Sequence, residues 1–240
     1  FFPAEALANQ VGLPCKPADF ALLTEPCDVL MDLKGRPDEF FAGSLRLPKP
    51  RLCLVDRLTG WWPEGGAQGL GRLRGEKDVD PTEWYFKAHF YSDPVQPGSL
   101  GIEALVRLLQ LGCMLKGFGE GMTAPRFEPL RIGEEMSWKY RGQVIPTNKL
   151  VQSTLDIVEQ GVDERGPYLV AEGSLWVDGK RIYEVQKMGM RVVDGTPEGP
   201  TSGPPKTDRT RRTLDITKEP WLGDHRPTFT VPSVPMMGVA

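Results

Sequence analysis

The sequence predicts an α+β domain in which one long central helix is wrapped by a curved antiparallel β-sheet. The first observation is a stretch of about twenty residues, 98–117, with apolar residues at helical spacing. The second is the series of alternating segments that follows it, separated by turn residues. A buried helix against an antiparallel sheet is one of the stable ways to pack two layers around one core.

The helix is predicted from Gly98 to Gly117. Its apolar stripe consists of Leu100, Ala104, Leu108, Leu111 and Leu115. Further apolar residues widen this stripe nearly all the way round, namely Ile102, Leu105, Val106, Leu109 and Met114. A helix that is apolar on most sides lies inside a core rather than on a surface.

Strands are predicted on both sides of this helix. Before it, Leu52–Leu58 is a strand or a strand–helix junction, and Gly69–Val79 is a strand. The strands after it are Met136–Tyr140 leading into Gly142–Pro146, Leu150–Glu159, Tyr168–Val177 and Arg181–Val193. Asp178-Gly179 is the strongest turn signal, since this dipeptide favours a two-residue hairpin.

The composition argues against several classes of protein. A net charge of −3 without a basic block does not indicate nucleic-acid binding. The four cysteines lack metal-ligand spacing, and the usage favours a reducing, cytoplasmic protein without disulfides. The apolar stretch 100–115 is too short and too interrupted to predict a membrane span. No phosphate loop or nucleotide fingerprint is present, so no cofactor is expected.

The residues that carry chemistry lie close together in the chain. His89 comes first, in an aromatic and strand-like setting, and Pro97-Gly98 forms a turn before the helix. Glu103 then lies in the first turns of that helix. An imidazole is suited to act as a base, a carboxyl group in an apolar setting can hold a proton, and a helix N-terminus stabilises negative charge.

Three separated motifs resemble the β-hydroxydecanoyl-ACP dehydratase/isomerase family of hotdog folds. They are residues 86–104, 139–146 and 177–183, and the similarity extends from about Leu47 to Val193. Residues 93–103 are most similar to the dehydratase domains of polyunsaturated fatty acid synthases, which are polyketide-synthase-like enzymes. The segment Pro220–Met237 resembles the opening of another dehydratase-type hotdog domain.

The domain organisation follows from this resemblance and from composition. Residues 1–44 are a leader or the tail of a preceding domain, and residues 45–194 are the hotdog dehydratase domain. Residues 195–215 form a Pro/Gly-rich linker. Residues 216–240 begin a following hotdog-like segment, and the first residue is Phe1, so we expect a domain cut from a longer chain.

The resemblance implies a role for each residue of the site. His89 corresponds to the catalytic base, the backbone amide of Gly98 to the oxyanion donor, and Glu103 to the acid. The residues expected to contact the substrate are Phe90, Val95, Pro97 and Ser99. Glu103 stands where the bacterial dehydratase/isomerase has aspartate, so dehydration is the expected activity and double-bond isomerisation stays open.

The resemblance also implies the partners. The substrate is a 3-hydroxyacyl thioester carried on the phosphopantetheine of an acyl carrier protein, and the enzyme needs no cofactor of its own. The histidine of one hotdog pairs with the acid of a neighbouring one, which requires a homodimer or a pseudo-dimer with an adjacent hotdog domain. Basic residues that could meet the carrier are Arg126, Arg131, Lys139 and Arg141.

Other interpretations of the same residues remain. His89 could be a structural histidine that caps a loop, and Glu103 could be a carboxylate that stabilises the helix N-terminus. The whole domain could be a non-catalytic scaffold, or a hotdog thioesterase or hydratase acting on acyl-CoA. His225 could belong to a separate site in the following segment.

Overall fold

An eight-stranded antiparallel sheet wraps around one long helix. A computed structural model of the chain describes residues 12–90, 92–128 and 135–195. The strands are β1 (Met31–Asp32), β2 (Arg57–Trp62), β3 (Arg72–Asp78), β4 (Arg126–Glu128), β5 (Ser137–Tyr140), β6 (Leu150–Asp163), β7 (Gly166–Val177) and β8 (Lys180–Val193). Their order is β1-β2-β3-β6-β7-β8-β4, and β5 also pairs with β8. The predicted α+β hotdog architecture is confirmed.

The helices are α1 (Pro17–Thr24), α2 (Asp38–Phe41), α3 (Trp84–Ala88) and α4 (Gly98–Leu115), and Pro50–Leu52 forms a 3₁₀ turn. α4 is the central helix, as predicted, and it packs on β3, β6, β7 and β8. Leu105, Leu108 and Leu111 are completely buried in it. By length and composition α4 would also qualify as a membrane-crossing helix, and 67% of it is buried inside this domain.

The longest strands form the centre of the sheet. β6 pairs with β7 from Val151–Val177 to Asp163–Gly166, and β7 then turns back into β8 at Asp178-Gly179. Both turn residues have positive φ, 48° at Asp178 and 78° at Gly179, as a two-residue hairpin turn of this type requires. The predicted hairpin is therefore confirmed.

The part of the expected leader around α1 packs against β3 and β7, while Leu33, Phe40 and Phe41 further along join the same hydrophobic core as α4. The ring of Phe20 lies 5.3 Å from that of Trp176, centroid to centroid. Arg74, on β3, donates hydrogen bonds from its guanidinium to the carbonyl oxygens of Leu22 and Glu25, both at 2.9 Å. Residues 12–44 of the expected leader are thus attached to the sheet, while the expected linker from residue 196 onward and the following segment lie outside the described residues.

Two local predictions are wrong, and a third holds only in part. Gly142–Pro146 is not a strand, because β5 ends at Tyr140 and the chain then runs as a loop. His89 is not in a strand-like setting, because it is the C-cap residue of α3 and its backbone N–H bonds the carbonyl of Tyr85 at 3.0 Å. A five-residue aromatic run is too short for periodicity to separate a helical turn from a strand. Of the predicted 52–58 segment, only Arg57 and Leu58 belong to a strand.

Candidate active site

His89 is held by the loop that follows it. Its ring nitrogen Nδ1 lies 2.9 Å from the carbonyl oxygen of Val95. A carbonyl oxygen can only accept, so Nδ1 carries the hydrogen and the lone pair of the neutral ring is on Nε2. The ring of Phe90 packs beside the imidazole, with 3.9 Å between centroids. The loop therefore sets both the tautomer and the orientation of a potential base.

The same loop is braced from a second side. The backbone N–H of Gln96 donates to the carbonyl of Val144 at 2.9 Å, in the segment 142–146 that forms a loop instead of the predicted strand. Val95 and Gln96 are both buried. Since Val95 is the residue that holds His89, this bond to Val144 steadies the histidine indirectly.

The N-terminus of α4 begins directly after this loop. Pro97 is the N-cap residue of the helix and Gly98 is its first residue. Within the part of the chain that the structure describes, the backbone N–H groups of Gly98 and Ser99 have no hydrogen-bond acceptor. The helix dipole adds positive potential at this end. These amides are consequently available to an anion or a polarised carbonyl.

Two tyrosines enclose the start of α4. The hydroxyl of Tyr183 donates to the carbonyl oxygen of Gly98 at 2.8 Å, and its ring covers Gly101 closely. Burial raises the pKa of Tyr183 above its usual range, so the group stays protonated and can donate. Tyr140 packs edge-on against Tyr183, with centroids 4.8 Å apart. The strands β5 and β8 thus hold the helix N-terminus in place.

Glu103 is paired with Arg107 on the next turn of α4. The side chain of Arg107 is 12% exposed and that of Glu103 is 38% exposed. His89 has the Val95 carbonyl and the Phe90 ring as its contacts, so within the described residues of one chain it is not hydrogen-bonded to Glu103. The predicted base and the predicted oxyanion donor lie on the short stretch from His89 to Gly98. The predicted acid, Glu103, is paired with Arg107 on α4.

The residues expected to contact the substrate differ in their surroundings. Phe90 is 55% exposed beside His89. Val95 is buried, and its backbone carbonyl accepts the hydrogen bond from His89. Pro97 caps the helix, and Ser99 is exposed in its first turn. Contact with a substrate stays a prediction for all four residues.

The basic residues suggested for carrier binding are mostly engaged. Arg126 donates from Nε to the carbonyl of Gly195 at 3.1 Å, and Arg141 bonds the carbonyl of Tyr140 at 3.2 Å. Lys139 lies 3.5 Å from the carboxylate of Glu184 and is 69% exposed. Arg131 and His225 lie outside the described residues.

Four residues around this site are not identified by sequence reasoning. Tyr140, Tyr183 and Gln96 lie within the motifs that resemble the family, but the sequence assigns none of them a role. Arg107 is a fourth such residue, and the structure shows it bonded to Glu103 and Gln110. Tyr183 contacts a residue distant in the chain and Gln96 acts through its backbone, and neither kind of contact has a local sequence signal.

The side chains of the described residues do not indicate a metal site. In the ranges 12–90, 92–128 and 135–195, no group of three or more His, Cys, Asp or Glu residues is arranged to hold a metal ion. The four cysteines, Cys15, Cys27, Cys53 and Cys113, are all free.

A long helix wrapped by a curled antiparallel sheet is the architecture of a hotdog domain, and here a histidine held by the loop that follows it lies close in the chain to the N-terminus of that helix. The family of FabA-like domains matches residues 47–186, and the chain belongs to that family.

A relative supports the more specific resemblance. One of the polyunsaturated fatty acid synthase proteins of Thraustochytrium sp. (strain ATCC 26185 / S-3) is 34% identical over 153 residues. This match covers 63% of the present chain but only 10% of that protein. The chain is thus similar to a small part of a much longer synthase polypeptide.

Solved structures with similar folds include two kinds of protein. The dehydratase heterocomplex ApeI:P from Xenorhabdus doucetiae is 8% identical with a TM-score of 0.41, covering 60% of this chain and 85% of that chain. A mutant of thioesterase PA1618 from Pseudomonas aeruginosa is 14% identical with a TM-score of 0.34, covering 51% of this chain and 74% of that one.

Proposed function

We propose that the domain dehydrates a 3-hydroxyacyl thioester on an acyl carrier protein to the trans-2-enoyl thioester, as part of a cytoplasmic polyunsaturated fatty acid synthase or a related synthase. The observation that carries this proposal is the 2.9 Å contact between His89 Nδ1 and the Val95 carbonyl, next to the open helix N-terminus. Because Nδ1 donates its hydrogen to this carbonyl, Nε2 keeps its lone pair and can act as the base. Membership of the FabA-like family and the similarity to part of a synthase support the choice of reaction.

The reaction needs two proton transfers and one stabilised oxygen. Nε2 of His89 takes the proton from C2 while the C3–oxygen bond breaks. The departing hydroxyl takes a proton from Glu103 and leaves as water. Negative charge that builds up on the thioester oxygen is stabilised by the N–H of Gly98 at the N-terminus of α4.

We propose that a second hotdog domain completes the site. Because Glu103 is paired with Arg107 and not with His89 in one chain, we propose that each site combines His89 of one hotdog with the acid of its neighbour. The neighbour is a second copy of this chain or an adjacent domain of the same protein. A symmetric dimer would hold two such sites.

The test is loss of water from a 3-hydroxyacyl thioester on the carrier protein, followed by mass spectrometry. Wild type, His89→Ala and Glu103→Gln are compared, with Glu172→Gln on β7 as an exposed control. Both site variants are expected to be slower by roughly a hundredfold or more, while the control keeps its rate. Separation of the product isomers shows in the same assay whether the double bond also moves.

A non-catalytic acyl-binding or scaffolding domain is the second candidate. The observation in its favour is that Glu103 lies in an ion pair instead of at His89. If the folded, dimeric wild type leaves the thioester unchanged while still binding it, this second candidate replaces the first. A wild type that releases the free acid instead would indicate a thioesterase.

A further inference from the structure

Arg107 is bonded at every nitrogen of its guanidinium. One terminal nitrogen donates to Oε2 of Glu103, and the other donates to Oε1 of Gln110 at 2.8 Å. Nε donates to the carbonyl oxygen of Leu52 at 3.2 Å. The group is therefore anchored both within α4 and on the 3₁₀ turn Pro50–Leu52.

This anchoring distinguishes Arg107 from an ordinary surface charge. Exposed ion pairs four residues apart on a helix are flexible and contribute little to stability. Here the Arg107 side chain is 12% exposed, and its partner Gln110 is buried. Burial lowers the pKa of Arg107, and the carboxylate of Glu103 opposes this shift.

The pairing makes the two oxygens of Glu103 unequal. Oε2 accepts from Arg107, whereas Oε1 has no hydrogen-bond partner among the residues that the structure describes. A guanidinium N–H that points at Oε2 occupies the position where an acidic proton on Oε2 would otherwise lie. A proton on Glu103 therefore belongs on Oε1, and the side chain, 38% exposed, can present it to another molecule.

We propose that Arg107 is a positioning residue: it fixes the rotamer of Glu103 and assigns the transferable proton to Oε1. This inference rests on the proposed dehydratase function. When the proton moves from Oε1 to the departing hydroxyl, the resulting carboxylate is stabilised by the guanidinium already in place. Arg107 itself neither gains nor loses a proton.

The test is a double-mutant cycle in the full protein, using the water-loss assay. Arg107→Gln is expected to lower kcat roughly ten- to hundredfold, because a misplaced group loses that much, with KM changed less than about twofold. In the Glu103→Gln background, the same substitution should cause no further loss, since Arg107 acts only through Glu103. Arg107→Lys keeps the charge and should restore part of kcat.

The control is Arg72→Gln, which removes an ion pair with Asp156 on the opposite face of the sheet and should leave kcat unchanged. The inference fails if Arg107→Gln keeps full kcat, or if it slows wild type and Glu103→Gln by the same factor. Should the glutamine variant not fold, the cycle with Arg107→Lys gives the same comparison. An inactive wild type refutes the proposed function itself, which separates the two failures.

Discussion

The hydroxyl group of Tyr183 donates a hydrogen bond to the carbonyl oxygen of Gly98, with 2.8 Å between the two oxygens. This bond joins β8 to the first residue of α4. Gly98 is also the residue whose amide we propose as the oxyanion donor, so the sheet determines where that amide lies. The packing of Tyr140 against Tyr183 extends the same support to β5.

Replacing Tyr183 by phenylalanine removes this bond and keeps the ring. We expect the free energy of unfolding to fall by about 1 kcal/mol, since the Gly98 carbonyl loses a buried donor. The dehydration rate should fall as well, because the Gly98 amide is less well located. Urea unfolding and the water-loss assay measure the two effects. Tyr168→Phe removes a more exposed hydroxyl bond, to Glu159, and an equal effect there would contradict the special role of Tyr183.

Gly101→Ala tests how closely the same ring approaches the helix. A Cβ atom at position 101 would overlap the ring of Tyr183, so the variant should lose about 1–3 kcal/mol of stability. This loss would exceed the gain from the better helix propensity of alanine. At Gly112 the nearest atom is a Leu73 methyl carbon at 3.3 Å, and Gly112→Ala should be far milder. Thermal unfolding of the two variants checks this order.

Asp178→Ala should weaken the connection between the β7–β8 hairpin and β6. The Asp178 carboxylate accepts hydrogen bonds from the Asn148 side chain at 2.9 Å and from the backbone N–H groups of Lys149 and Leu150. Alanine loses all three and is strained at a φ of 48°, so we expect a loss of about 2 kcal/mol or more. Asp178→Asn tolerates the turn and should lose less, and a reverse order in urea unfolding would refute this account.

Stability in acid should depend on Asp78. The bond from Lys34, and further bonds from Arg57, hold the pKa of Asp78 below its ordinary value of 3.8. A lowered pKa in the folded state stabilises the protein above the ordinary value, and this contribution disappears as the pH falls through the lowered value. Unfolding free energies measured between about pH 5 and pH 2 should therefore show wild type losing its advantage over Asp78→Asn in acid. A constant difference across this range would contradict the assignment.

The central helix and the β7–β8 hairpin could be predicted because their signals are local. Apolar residues at helical spacing over the length from Leu100 to Leu115 indicate a helix, and Asp178-Gly179 favours a two-residue hairpin turn. The three motifs that resemble the FabA-like family also lie at fixed places in the chain. The setting of His89 could not be predicted in this way, since the aromatic run before it is equally compatible with a helical turn and a strand.

The sequence patterns were sufficient to indicate the α+β class and the buried helix, and the resemblance to a known family added the hotdog fold and supported His89, Gly98 and Glu103 as candidates. Which atoms these candidates contact was decided by the tertiary structure. The tautomer of His89 depends on how the loop brings the Val95 carbonyl to Nδ1, and the support of Gly98 comes from Tyr183, far along the chain. Such contacts arise from packing between segments that are distant in the chain, and a local sequence pattern does not specify which distant atoms will meet.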